Sequence, residues 1–214
     1  MNNKFLISVK GILVYNQKLL LRKNQRNEFE LLGGKLEKND IFFEKRLIEE
    51  FQEESGINIE VHSSREPWLY TIDNKNIIIL PFVCSAKTIP TYLFDSDGGE
   101  LCWVSIEDIE ELNMPYGYYD SIENNIPRKS CSPFEGKYFK NIPNYVDNYY
   151  EVLVKIRDRK GNIIFSKPLE NFTTPRELIE KDLKSIKIRS EICTLENSKL
   201  HINYTLNDSG SDLK

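Results

Sequence analysis

Apolar and polar positions along the chain alternate at first and then change period. Residues 4–15, KFLISVKGILVY, and 18–23, KLLLRK, read as two strands joined by a turn at Asn16-Gln17. From about Ile41 to Ser55 the apolar residues Phe43, Leu47 and Phe51 recur every four positions, the period of one helix face. Gly56 is placed to end that helix. Further strands are expected at about 57–62, 66–73 and 76–86, with DSDGGE as a loop and LCWVSI as another strand. A helix over about 106–112 follows, then a second in GYYDSIENNI.

Between 127 and 147 the texture shifts to PRKSCSPFEGKYFKNIPNYVD, where three prolines are mixed with aromatics. That composition suggests a linker docked on a surface, set at residues 129–148. Beyond it, YYEVLVKIR and NIIFSK flank the turn DRKG. TPRELIEKDLK then carries a helix start, with Thr174 as cap, Pro175 at the first helical position and Glu177 closing a capping box. Strands at about 185–194 and 199–206 complete a ββαββ unit. The expected division is therefore residues 1–128, a linker, and a small α+β domain over 149–214 that covers the site, dimerises or binds a partner.

Composition narrows the class. Of 214 residues, 40% are hydrophobic and 29% charged, as suits a chain with a real core. A net charge of −4 gives no electrostatic case for long nucleic acids or a membrane surface. The apolar start is interrupted by Lys10 and lacks a small-residue cleavage site, so it reads as a strand and not a signal peptide. No stretch approaches the roughly 18 apolar residues of a membrane span. Cys84, Cys102, Cys131 and Cys193 show no C-x-x-C spacing, which speaks against a zinc site. A cytoplasmic protein is the expectation.

The candidate chemistry lies in LLGGKLEKNDIFFEKRLIEEFQEESGI, residues 31–57. On a helix, Glu50, Glu53 and Glu54 share one face, opposite in character to the Phe43, Leu47 and Phe51 stripe. Like charges at this spacing weaken a helix, so their presence asks for a reason. Carboxylates converging beside a loop suit a hard, oxygen-seeking cation such as Mg²⁺. The pair Gly33-Gly34 permits backbone geometry that a side chain would forbid, and lets a carbonyl approach an ion. Lys35 adds a compact cation suited to a phosphate.

These residues resemble the signature of the Nudix hydrolases, G-x5-E-x7-R-E-U-x-E-E-x-G-U, where U is a bulky apolar residue. Glu50-Phe51-Gln52-Glu53-Glu54-Ser55-Gly56-Ile57 fits its second half throughout, and Gly34 to Asp40 fits its start with Asp in place of Glu. The spacer is one residue longer, near Asn39–Ile41, and Glu49 stands in the arginine position. With the strand order and the later ELCWVSIEDIEEL, the likeness covers about residues 4–126.

The resemblance implies an α/β/α sandwich around a mixed sheet. It also implies hydrolysis of a phosphoanhydride in a nucleoside diphosphate linked to a further moiety, with Mg²⁺ (or Mn²⁺) as cofactor. By the same resemblance Glu50, Glu54 and the Gly33 carbonyl are metal ligands. Glu53 binds a further metal or orients a water, and Lys35 pairs with a phosphate. Glu100 is the expected later acid, ahead of Asp97 and Asp95, and Arg22 is a candidate phosphate contact. Glu49 cannot hold the carboxylates by ion pairing as an arginine does; Arg46, four residues before Glu50, is the candidate substitute. Trp68, Tyr70, Tyr116 and Tyr118 are candidates to stack on a base. The alternative reading is a catalytically impaired domain that senses a nucleotide or serves as an interaction module.

Overall fold

In β1 (Leu6–Tyr15) the first eight residues are all buried. A strand covered on both faces needs cover on both edges as well, and β1 obtains it from two directions. On one edge it runs parallel to β6 (Lys75–Ala86), in register from Leu6↔Ile77 to Leu13↔Cys84. On the other it meets β2 (Lys18–Lys23) only at Val14↔Leu19 and Tyr15↔Lys18. The double-glycine segment takes the edge that β2 leaves: Val9 N–H donates to the Gly34 carbonyl at 2.9 Å and Gly11 N–H to that of Leu32 at 2.9 Å. This places Gly33 beside Lys10.

The computed structural model describes residues 4–38, 40, 42–90, 93, 95, 98–122, 150–158, 160–170, 174–183, 188–196 and 199–206. The extra spacer residue near Asn39–Ile41, Asp97 and the linker expected at 129–148 fall wholly or partly outside them.

The first sheet is mixed. β3 (Phe29–Glu30), a short strand absent from the expectation, pairs with β2, and β7 (Glu100–Ser105) pairs with β2 as well. The 12-residue β6 is shared along its length, by β5 (Trp68–Ile72) over its first half and β4 (Ile59–Ser64) over its second. One face carries α1 (Phe43–Ser55), which buries Phe43, Leu47 and Phe51 as the four-residue period requires. Gly56 ends α1 in the left-handed conformation with φ of 69°. The other face carries the 3₁₀ helix Ile106–Glu111 and α2 (Tyr116–Ile122), which supply Ile109 and Tyr118 to a second apolar cluster. Helical elements on both faces make an α/β/α sandwich.

A second sheet of four strands has the order β10-β11-β8-β9, from β8 (Glu151–Arg157), β9 (Ile163–Pro168), β10 (Ile188–Glu196) and β11 (Lys199–Leu206). Two antiparallel hairpins meet along the parallel pair β11–β8. Between the hairpins lies α3 (Pro175–Asp182), whose start has the full capping box: Thr174 Oγ1 accepts the Glu177 N–H at 3.1 Å and the Glu177 carboxylate accepts the Thr174 N–H at 2.8 Å. The two sheets share one apolar core, in which Phe5, Leu47 and Leu80 join Val154, Leu178 and Ile202. Tyr150 and Phe5 also exchange backbone hydrogen bonds of 2.6 and 2.7 Å.

Candidate functional site

The site is built where the double glycine runs between β1 and α1. Gly33 has a φ of +124°, and a Cβ there would run into the Val9 carbonyl. At Gly34 a Cβ would collide with the Glu50 carboxyl group, so only glycine lets helix and bend close together.

Two of the three helix glutamates turn into this junction. Glu54, 4% exposed, accepts the Gly33 N–H at 3.0 Å, and its other oxygen lies 3.7 Å from Arg22 Nη1. Its pKa is pushed up to about 7, chiefly by burial; the Lys10 charge, the Gly33 N–H and Arg22 oppose the rise, and Glu50 adds to it. Glu50 is also buried and is paired with the Arg46 guanidinium, as expected for the substitute arginine. Glu53 differs: it is exposed. Among the described residues no three acidic, histidine or cysteine side chains gather closely enough to hold a metal by themselves. The expected convergence of three carboxylates is thus not realised. The helix face they share is wide enough that its inner edge meets Gly33-Gly34 while its outer edge meets water.

Arg46 is the hub of the outer side. Its Nη2 is 3.6 Å from Glu37 Oε1, and its Nε is 3.7 Å from Asp40 Oδ2 and donates to the Lys35 carbonyl at 3.4 Å. Asp40, standing where the signature has Glu, is therefore tied to Glu50 through Arg46. Glu49 lies off this network, 3.5 Å from Lys45 on the exposed side of α1. The Lys35 side chain is exposed.

Arg22 is the hub of the inner side. Its Nε donates to Asp95 Oδ2 at 2.6 Å and its Nη1 lies 3.5 Å from Glu30 Oε1. Burial works against its charge, yet the Asp95 hydrogen bond and the charges of Glu54 and Glu30 raise its pKa above the usual arginine value. The buried acid beside Arg22 is thus Asp95, not Glu100. Arg22 faces Leu101 across the β2–β7 pair and Lys23 faces Glu100, and alternate strand residues point to opposite faces. Glu100 accordingly acts on the other side of the sheet, where its charge raises the Cys102 thiol pKa after burial has done so.

One residue had no place in the expected site. Lys10, 6% exposed, donates its ammonium to the Gly33 carbonyl at 2.6 Å and stands 3.8 Å from Glu30 Oε2. A lysine inside an otherwise apolar strand was the signal in the sequence; it served there only to break up an apolar run. The aromatics divide as well. Trp68 packs edge-on against Tyr70 and Tyr118, with centroids 5.8 and 4.9 Å apart, and Tyr70 and Tyr118 are buried. Tyr116 is exposed.

The donors around Gly33 are carboxylate and carbonyl oxygens, the hard set that a Mg²⁺-type ion takes. A protein ammonium seated among them shows that the cluster favours positive charge. The donor chemistry therefore fits a divalent cation, with Lys10 holding one of its contacts.

No family model matches the sequence, and no curated protein matches it. Solved structures do. The structure of a MutT NUDIX hydrolase from Burkholderia pseudomallei aligns over 58% of this chain and 100% of its own, with a TM-score of 0.50 at 18% identity. A MutT protein from Methanosarcina mazei Go1 aligns over 57% of this chain and 92% of its own, with a TM-score of 0.48 at 21% identity. At such identities the likeness is one of fold: the chain contains a Nudix fold. The two alignments leave more than two fifths of this chain uncovered. No helix among the described residues is long and apolar enough to cross a membrane.

Proposed function

We propose that this chain is a divalent-metal-dependent hydrolase that cuts a phosphoanhydride in a nucleoside diphosphate linked to another moiety. The observation that carries the reading is the clasp in which Glu54 takes the Gly33 N–H at 3.0 Å while Glu50 lies against Gly34. Glutamates buried this way carry a desolvation penalty that packing alone does not repay. A site that must concentrate negative charge on an oxygen-lined bend explains them.

Glu50, Glu54 and the Gly33 carbonyl would hold the ion. When bound, the cation supplies neutralisation of the diphosphate oxygens and a more acidic attacking water. Glu53, exposed on the same helix, would orient that water or take its proton. Lys35 presents its ammonium to a phosphate from the solvent side. Arg22, gripped by Asp95 and Glu30, fixes Glu54 and so acts as a positioning residue.

The test is a panel of nucleotide sugars, ADP-ribose, NADH, dinucleoside polyphosphates and nucleoside triphosphates, with and without Mg²⁺, beside Glu54→Gln. Turnover of any member that requires both the metal and Glu54 is the expected result. The alternative, a nucleotide sensor, draws on the Tyr150 hydroxyl, which donates to the Glu37 carbonyl at 3.1 Å and links the second sheet to the Arg46 network. Binding without turnover across the panel would select it.

A further inference from the structure

Lys10 needs an explanation of its own. Its neighbours on β1 are apolar or small, it is 6% exposed, and burying an ammonium is unfavourable unless it is well paired. Its close contact is the 2.6 Å bond to the Gly33 carbonyl, with Glu30 next at 3.8 Å. Glu54, bound to the N–H of the same glycine, feels the Lys10 charge. The ammonium therefore holds the carbonyl that, in the reading above, a divalent ion would use.

A carbonyl oxygen can accept from more than one donor, but a dication and an ammonium cannot both close on it. Two positive centres a few ångströms apart in a poorly solvated site repel strongly. Arg22 and Arg46 already offset much of the carboxylate charge, and Lys10 adds a third positive charge, on the Gly33 carbonyl itself. We propose that Lys10 is a built-in competitor for the cation seat at Gly33, so that a divalent ion binds only by displacing its ammonium. This rests on the reading that the box holds a metal. Lys10 then sets how much free metal the protein needs, and displacement swings a positive charge off the bend as the ion arrives.

The test is binding of Mn²⁺ alone to the full chain, followed through the free-ion EPR signal. Lys10→Met keeps an unbranched apolar side chain of nearly the same length and removes the charge; Lys45→Met removes the same charge from the exposed side of α1. The expected result is a Kd at least about tenfold lower for Lys10→Met and within about twofold of wild type for Lys45→Met. A folded Lys10→Met that binds Mn²⁺ no tighter than wild type overturns the inference and leaves the metal reading intact. An equal gain in Lys45→Met also overturns it, since net charge alone would then be the cause. Failure of wild type and Lys10→Met alike to bind Mn²⁺ overturns both. A second measurement needs no variant: acylation of wild-type lysines read by mass spectrometry. Mg²⁺ should speed labelling of Lys10, and unchanged or slower labelling overturns the inference.

Discussion

The two sheets of this protein are both mixed, each with one parallel junction, yet they bury different things. In and around the first, Lys10 on β1, Glu50 and Glu54 on α1, and Glu28 and Asp95 between elements all lie below a tenth exposed. In the second, every buried residue among those described is aliphatic, aromatic or proline. A fold has no need of buried charge, as the second sheet shows. Where one region accepts the desolvation penalty and its neighbour avoids it, the buried charges mark the part of the chain on which the proposed function rests.

The comparison breaks most readily at the shared core. Ile202 on β11 is fully buried in it. Ile202→Ala should cost about 2–5 kcal/mol by the usual cavity penalty. Both tryptophans, Trp68 and Trp103, lie in the first sheet, so their fluorescence reports that sheet alone. If the sheets unfold as one unit, the tryptophan midpoint in urea falls with the mutation. A midpoint that stays put would make the second sheet an independent body.

A smaller effect separates two charges on one helix. Arg46→Ala strands the buried Glu50 carboxylate and should cost about 1–3 kcal/mol. Glu49→Ala removes an exposed pair with Lys45 and should change stability by less than about 0.5 kcal/mol. Equal effects from the two would refute the view that Arg46 has taken over the task of the missing signature arginine.

The smallest effect is one of pH. Glu54 has its pKa raised from 4.5 to about 7, so the folded chain keeps a proton that the unfolded chain has released between those values. Its contribution to stability is full below about 4.5 and is lost as pH rises through about 7. In EDTA, Glu54→Gln should therefore melt higher than wild type at pH 8, with the gap closing towards pH 5. A gap that is constant or that widens at low pH would mean that Lys10 and Arg22 outweigh burial.

The elements were largely legible in advance because they are local. The four-residue period of Phe43, Leu47 and Phe51 specifies α1, Gly56 its end, and Thr174 with Glu177 the start of α3. The site was legible in part. Glu54 reaches Gly33, Glu50 lies against Gly34, and Arg46 pairs with Glu50 one helix turn away, because helix spacing and a double glycine act over short range. Glu100 did not follow, since the face it takes depends on the register of β7 against β2, which no local pattern encodes.

Sequence alone thus determined most of the helices and strands, where α1 ends and α3 begins, and which side of α1 meets the core, since each follows from periodicity and backbone preference within a few residues. Tertiary structure alone decided that Lys10 sits on the Gly33 carbonyl, that Asp95 and not Glu100 grips Arg22, and that Glu53 stays in water. Those outcomes arise from strands far apart in the chain sharing an edge and a register, and electrostatic partners are chosen by distance in space.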